Sequence, residues 1–280
     1  MAPVTVRETL LQAARDIAGD SARADASLLL AAAMGNSGTW LIAHDDALLD
    51  AAQHTRFQAM VARRRDGEPV AMILGRQAFW SLSLQVGPAT LVPRPETERL
   101  IELALQRLPP AMPADVLDLG TGSGAIALAI ASERPASRVT ATDASAAALA
   151  IARGNAAQLG LVLRFLQGDW FAPVAGERFD LVLSNPPYLS DDDPHLPSLR
   201  HEPRTALVSG PTGMESIAAI CHAAPAHLRA GSWLLVEHGN LQGPHARALL
   251  GAAGFSGVQT WQDIEGRDRV SGGQWTGAGR

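Results

Sequence analysis

Two hydrophobic rhythms divide this chain. Over residues 5–66, apolar positions recur at helical spacing, as in Leu10, Leu11, Ala14 and Ile17, then Leu28, Leu29 and Leu30, then Phe57, Met60 and Val61. Turn-forming residues interrupt them at Gly35-Asn36-Ser37-Gly38 and around Asp45 and Asp46. The pattern predicts a small all-helical domain, placed at residues 1–75. Beyond Gly67 the period shortens. Phe79, Leu82, Leu84 and Val86 alternate as strands do, with a local shift, and Gly87-Pro88 turns the chain toward Leu91 and Val92. A linking β-hairpin is expected over 76–94.

From Pro95 a helix with Ile101, Leu105 and Leu108 on one face is followed by alternating strand and helix signals. Strands are expected at 115–119, 138–142, 163–167, 179–184, 233–237, 256–261 and 269–275. The last two, separated by the turn region Asp263 to Asp268, read as a hairpin, with the final strand antiparallel. Such alternation predicts an α/β domain over 95–280, a seven-stranded, mostly parallel sheet between helical layers, with ligands at the carboxyl ends of the strands.

Four segments with candidate chemistry fall at those ends. The first is Val116-Leu117-Asp118-Leu119-Gly120-Thr121-Gly122-Ser123-Gly124, a strand running into a glycine turn and then a helix. Glycines at 120, 122 and 124 permit a sharp turn and close approach to a ligand, although the spacing is not the G-x-G-x-x-G of a dinucleotide site. The second is Asp143, about 20 residues further on at the end of the next strand, where such folds bind ribose hydroxyls. Asp143 also suits the N-cap of the following helix, a role Ser145 can fill instead. The third is Asp169-Trp170.

The fourth segment, Asn185-Pro186-Pro187-Tyr188, holds the only tyrosine of the 280 residues. Two prolines cannot continue a sheet ladder, and they stiffen the backbone while leaving carbonyls free to accept. Asn185 offers a side-chain carbonyl, Pro186 a main-chain carbonyl and Tyr188 an aromatic face, a set that can grip and stack a planar –NH2 group. A proline-stiffened turn is the plain alternative.

Composition narrows the classes. A net charge of −5 is unlike that of a protein that binds mainly through nucleic-acid phosphates. One cysteine, Cys221, excludes an internal disulfide and a cysteine-based zinc cluster, and is expected as a helix packing residue. No apolar run approaches membrane-spanning length and Met1 opens nothing like a secretion signal, so cytoplasmic residence is expected. His195, His201 and His238 are scattered, and no metal site is expected. Arg63-Arg64-Arg65 reads as a solvated helix end and Asp191-Asp192-Asp193 as solvated acids. Arg94, Glu96 and Glu98 either border the pocket or accompany helix capping near Thr97.

Taken together, Glu68-Pro69-Val70-Ala71, Phe79-Trp80-Ser81-Leu82, Val92-Pro93-Arg94-Pro95-Glu96-Thr97-Glu98, the glycine segment, Asp169-Trp170-Phe171, Asn185 to Tyr188 and Glu202-Pro203 carry a family resemblance. Over nearly its full length the chain resembles the class I methyltransferases that use S-adenosylmethionine, and specifically the release-factor glutamine methyltransferases. The resemblance implies a Rossmann-like methyltransferase sheet behind a helical substrate-recognition domain. It also implies donor contacts from Gly120, Thr121, Gly122, Ser123 and Gly124 to the amino-acid part, from Asp143 to the ribose, from Trp170 beside the adenine, and from Asn185. The implied catalytic set is Asn185, Pro186, Pro187 and Tyr188. The implied substrate is the glutamine of the Gly-Gly-Gln tripeptide in class I peptide release factors, with S-adenosylhomocysteine as product and no nucleic-acid substrate or membrane partner. Two related chemistries stay open on the tetrapeptide: glutamine methylation of a ribosomal protein, and adenine-N6 methylation of nucleic acid, which demands a base flipped out onto a basic surface. Gly272-Gly273-Gln274 copies the target tripeptide inside the chain itself; burial in the last strand is expected there.

Overall fold

The computed structural model describes residues 4–277; residues 1–3 and 278–280, the extreme ends of the outer domains expected above, lie outside the described residues. The chain divides into two compact units, one through Arg76 and one from Gln77.

The first unit comprises α1 (Val6–Ile17), α2 (Ala22–Met34), α3 (Gly38–Ala43), α4 (Ala51–Arg65) and the short α5 (Val70–Leu74). Local chemistry starts them. Thr5 and Glu8 form a reciprocal capping box at α1, and Asp50 and Gln53 do the same at α4. Gly35 ends α2 in the left-handed region at φ 69°. The core is Val6, Ala13, Ala26, Leu29, Leu30, Ala33, Leu41, Phe57 and Val61. This corrects the apolar stripe read from the sequence: Leu11 and Leu28 are about half exposed, at 51% and 54%. Alanines face the interior in their place, because a close helix pair, α1 on α2, leaves room for methyl groups but not for every leucine. At the end of α4, Arg63 and Arg64 are not merely solvated: they pair with Glu68 and Asp25.

A hairpin, β1 (Arg76–Phe79) and β2 (Leu82–Gln85), starts at the last residue of the first unit and otherwise belongs to the second, turning at Trp80, whose φ is 55°. The Trp80 amide donates to Glu98 Oε1 at 2.8 Å and its indole to Glu133 Oε1 at 2.7 Å. α6 (Glu98–Arg107) follows, and then β3 (Asp115–Leu119), α7 (Ala125–Glu133), β4 (Arg138–Asp143), α8 (Ala146–Leu159), β5 (Arg164–Gln167), β6 (Phe179–Ser184), α9 (Glu215–Ala223), β7 (Leu228–Glu237), α10 (Gly243–Ala252), β8 (Ser256–Gln262) and β9 (Asp268–Trp275).

The seven strands from β3 onward form one sheet in the order β5-β4-β3-β6-β7-β9-β8, in which β9 pairs antiparallel with both neighbours. Alternation sorts each central strand onto two cores. Val116, Leu181, Leu183 and Leu235 pack against α6 and α7 on one face. Leu117, Leu119, Val182, Leu234 and Val236 pack against α9 and α10 on the other. β7 begins five residues earlier than its apolar run at 233–237 suggests. The added stretch, Leu228 to Ser232, lacks apolar alternation and is irregular: Phe179 pairs with the buried Leu228, and regular pairing resumes only at Leu181 with Trp233.

Gly272-Gly273-Gln274 lies in β9, inside the sheet. A Cβ on Gly272 would come within 2.5 Å of the Leu234 carbonyl oxygen, and one on Gly273 within 2.8 Å of Phe255 Cβ. Gln274 donates to the Gly231 carbonyl at 2.7 Å. Sheet packing accounts for all three residues.

Candidate active site

The chain leaves β3, β4 and β6 on the same side of the sheet, and the strand order reverses between β3 and β6, the switch point at which α/β sheets place their ligands. A cavity of about 530 Å³ lies there, within the size range of small-molecule sites. Of the residues singled out from the sequence, Gly120, Thr121, Gly122, Ser123, Asp143, Trp170, Asn185 and Pro187 line it. Gly124, Pro186 and Tyr188 do not. Thr90, Pro93, Arg94, Thr97, Pro203 and Val208 complete its walls from loops distant in sequence.

The glycine turn is held by its own backbone. The amides of Gly120 and Thr121 both donate to the Thr142 carbonyl at 2.9 Å, and Gly124 donates to Thr121 at 2.8 Å. Asp143 braces it: Oδ2 accepts from the Gly122 amide and Oδ1 from the Ser145 amide, each at 2.8 Å. Ser145, not Asp143, caps α8, its hydroxyl accepting from the Ala148 amide at 3.1 Å. Each carboxylate oxygen of Asp143, a residue that lines the cavity, has capacity to accept a further hydrogen bond. Gly124 opens α7 at φ 86°, where a Cβ would sit 2.9 Å from Leu128 Cδ1 and 3.2 Å from Ala152 Cβ. Behind the turn, the buried Asn155 donates to the Ser123 and Gln85 carbonyls and accepts from the Gln85 amide, tying it to β2.

Trp170 holds a left-handed backbone at φ 43°, its carbonyl accepting from the Thr142 hydroxyl at 3.1 Å. A non-glycine residue in that region is uncommon and is retained where the surroundings impose it. The constraint stands the indole beside Gly120, whose Cβ, were there one, would be 3.6 Å from the ring.

Asn185 leaves β6 with its Nδ2 donating to the Thr97 hydroxyl at 3.1 Å. Thr97 precedes α6 but makes no side-chain cap, so the capping alternative does not hold for this residue. Tyr188 is fastened by its backbone: its amide donates to the Leu207 carbonyl at 3.2 Å, and Gln242 donates to its carbonyl at 2.9 Å. Burial, with the charge of Glu237 adding, pushes its phenol up to about 12. The phenol therefore stays protonated and is no general base at neutral pH. Of the neighbouring acids, Glu98 is engaged with the hairpin, while Arg94 pairs with the buried Glu202, which also accepts from the Val92 amide at 3.0 Å.

Two acids gain importance only from the fold. Asp118 is fully buried under the glycine turn; its Oδ2 accepts from the Thr121 hydroxyl at 2.6 Å and its Oδ1 makes no hydrogen bond. Burial pushes its carboxyl up to about 7, with Asp143 adding repulsion. Glu237, at the end of β7, is equally buried, its Oε2 makes no hydrogen bond, and burial pushes it up to about 7 against the opposing effects of the Thr97 hydroxyl and the Arg269 charge. Nothing in the sequence distinguished either acid from an exposed carboxylate except its place at the end of an apolar run.

His238 is buried between the Gly239 carbonyl and the Ser271 hydroxyl, both at 2.8 Å, and His195 bonds Asp193 at 2.8 Å. Asp191 pairs with Arg204. Among the described residues no group of three or more His, Cys, Asp or Glu is placed to hold a metal ion, and no helix is long and apolar enough to cross a membrane. Cys221 is buried in α9, as packing predicted.

Known proteins resemble the chain in both sequence and fold. A family model described as the Methyltransferase small domain matches residues 99–200, and one described as the PrmC N-terminal domain matches residues 8–75. The chain is 52% identical to a release factor glutamine methyltransferase of Xylella fastidiosa, over 91% of this chain and 94% of that protein. It is 48% identical to one of Pseudomonas aeruginosa, over 95% and 98%. A solved T. thermophilus 16S rRNA methyltransferase, in complex with AdoMet and guanosine, matches with a TM-score of 0.54 at 20% identity, covering 71% of this chain and 49% of that one, a likeness of fold. With such identity sustained over nearly its whole length, the chain belongs to the release factor glutamine methyltransferase family.

Proposed function

We propose that the protein methylates the side-chain nitrogen, N5, of the glutamine in the Gly-Gly-Gln segment of class I peptide chain release factors, using S-adenosylmethionine and leaving S-adenosylhomocysteine. The observation that carries the reading is one cavity in which the glycine turn and Asp143 face an Asn185 whose Nδ2 is already tied to Thr97. Family membership supports the choice of substrate.

The residues suit the donor. A cavity of about 530 Å³ is of the right order, Gly122 leaves its flank open, Asp143 has lone pairs for ribose hydroxyls, and Trp170 offers a flat face for the adenine. When bound, the donor supplies a methyl group already activated as a sulfonium.

The protein's own task is orientation. A carboxamide nitrogen is a poor nucleophile because its lone pair is delocalised into the carbonyl. In this reading Asn185 Oδ1 and the Pro186 carbonyl accept the two N–H protons, and Tyr188 packs on the amide plane. Held so, the lone pair lies along the line of transfer, and such positioning contributes roughly 7 to 11 kcal/mol in favourable intramolecular cases. Tyr188 stays neutral and takes no proton, so the proton lost after transfer passes to water or to the carbonyl acceptors. The helical unit through Arg76 would recognise the release factor, and a translation factor as substrate implies a cytoplasmic enzyme.

The test is incubation with methyl-labelled S-adenosylmethionine and a class I release factor, beside its Gly-Gly-Gln glutamine-to-alanine variant, a ribosomal-protein candidate and unmethylated DNA. Label on the unaltered factor alone is expected. Label on the ribosomal protein or DNA would keep the fold and overturn the substrate; label on none of them would overturn the reading.

A further inference from the structure

We infer that Gln242 is a positioning residue for the reaction: its side-chain amide clamps the Tyr188 carbonyl and so fixes the loop that presents Asn185, Pro186 and Tyr188 to the substrate glutamine. The inference rests on the reading of that loop as the holder of the substrate amide.

A loop of this composition depends on its ends. Pro186 and Pro187 have no N–H to donate. At the first end Asn185 Nδ2 donates to the Thr97 hydroxyl at 3.1 Å. At the last, the Tyr188 amide donates to the Leu207 carbonyl at 3.2 Å, and the Tyr188 carbonyl accepts from Gln242 Nε2 at 2.9 Å. Because each proline fixes its φ, the residues between have little freedom to absorb a shift at Tyr188 and pass it on to the Pro186 carbonyl.

Gln242 reaches the loop from another element. It precedes α10 and makes no side-chain cap there. Its amide turns back instead: Oε1 accepts from the Gly239 amide at 2.8 Å, while Nε2 donates to the Tyr188 carbonyl and, at 3.3 Å, to the Gly213 carbonyl. One acceptor meets an N–H and two donors meet two carbonyls, so a single orientation of the amide satisfies all three partners. Glutamate would set an oxygen against two carbonyl oxygens, and methionine, of similar shape, offers no donor.

Two glycines make room for the clamp. Gly213 holds φ 74°, and a Cβ there would lie 2.5 Å from the Tyr188 carbonyl oxygen and 3.1 Å from Gln242 Nε2. A Cβ on Gly239 would lie 3.1 Å from Gln242 Oε1 and 3.7 Å from Tyr188 Cδ2. The register of β6 with β7, Ser184 beside Val236, brings Asn185 and Gly239 out of the sheet at neighbouring strand ends. None of Gln242, Gly213 and Gly239 lines the donor cavity. Loss of the clamp should therefore act on substrate placement and spare donor binding.

Tyr188 is the only tyrosine of the chain, so protein grown with tyrosine carrying 13C at its carbonyl carbon gives one tyrosine carbonyl resonance, a direct reading of the clamped group. The resonance is compared in the wild type, Gln242→Met, Gln242→Glu and Gly213→Ala, with donor Kd by calorimetry and kcat and KM with a release factor. Gln242→Met should shift the resonance and lower kcat by about 10- to 100-fold, the scale of a misplaced reactant, with donor Kd within about twofold. Gln242→Glu should lower kcat at least as far. Gly213→Ala displaces the same carbonyl from its other side, so combined with Gln242→Met it should lose much less than the product of the two single losses. An unmoved resonance, wild-type kcat in Gln242→Met, or a donor Kd weakened as much as kcat falls would overturn the inference. If Gly213→Ala does not fold, the two Gln242 variants decide alone. Asn185→Ala separates the two levels. Turnover surviving in it defeats the reading of the loop, whereas its loss beside a fully active Gln242→Met defeats only the clamp.

Discussion

Gly122 and Gly124 stand two residues apart in one turn and have different duties. Both adopt positive φ, 57° and 86°, which carries a penalty of roughly 1–2 kcal/mol for any residue with a Cβ. Gly124 has a second reason to be glycine, since its Cβ would press on Leu128 and Ala152 at the start of α7. Gly122 has open space instead, on the wall of the cavity. Gly124→Ala should therefore destabilise the second unit by about 3 kcal/mol, adding overpacking to backbone strain. Gly122→Ala should cost only about 1 kcal/mol of stability yet weaken donor binding by tenfold or more, because the new methyl occupies ligand space. Urea unfolding and donor titration of the two variants measure the contrast; equal effects on both quantities would refute the division of labour.

Between elements, the cavity rim depends on one carboxylate. Glu202 accepts from the Val92 amide and pairs with Arg94, joining two loops 110 residues apart in sequence with a side chain that is itself 1% exposed. Nearby, the Tyr188 and Leu189 amides both donate to the Leu207 carbonyl, which ties the Asn185 loop to the segment after Glu202. Removing Glu202 leaves an amide and a partly buried guanidinium without their acceptor. Glu202→Ala is expected to cost about 2 kcal/mol in urea unfolding, the buried-pair penalty discounted for the exposure of Arg94. Unchanged stability would show the rim to be held by other contacts. Such links mark where the sequence stopped being legible. β3 and β6 were readable because each is an apolar run ending in turn residues, and the strand-end positions of Gly120 and Asn185 followed from that alone. The early start of β7 was not readable, because Arg229 to Ser232 carry no apolar alternation. Helix faces in the first unit were misjudged at Leu11 and Leu28 because small residues such as Ala13 and Ala26 won the interior, a choice set by interhelical distance. Thr97 acquires its place from Asn185, 88 positions away, a relation that no local pattern encodes.

The whole molecule sums these buried charges into a pH dependence with a definite sign. Asp118 and Glu237 have folded-state values raised to about 7, so each contributes stability that is full below its ordinary value near 4 and is lost as pH rises through about 7. Asp115 acts the other way: held low by Arg138 and Arg229, it contributes stability that is present above 3.8 and lost as pH falls through its lowered value. His238, kept neutral by burial, also costs stability as pH falls below 6.5, and so opposes the two acids in that range. Above pH 6.5 the histidine no longer contributes, and the raised carboxyls stand alone. From pH 6.5 to 8 each should lower the unfolding free energy by about 1 kcal/mol. The second unit is therefore expected to become less stable across this interval, and Asp118→Asn and Glu237→Gln should each remove about half of the loss. Urea unfolding followed by tryptophan fluorescence reports chiefly on this unit, since Trp40 is the only tryptophan outside it. A stability that is level or rising over the interval in the wild type, or a slope untouched by either substitution, would mean that these carboxyls are not held protonated by the fold. The direction matters for function, because the same two acids lie beneath the glycine turn and behind Asn185. Ionising them as pH rises through neutrality therefore charges buried ground under and beside the cavity at a cost in stability, which is how a protein with stability to spare can carry unpaired buried acids there.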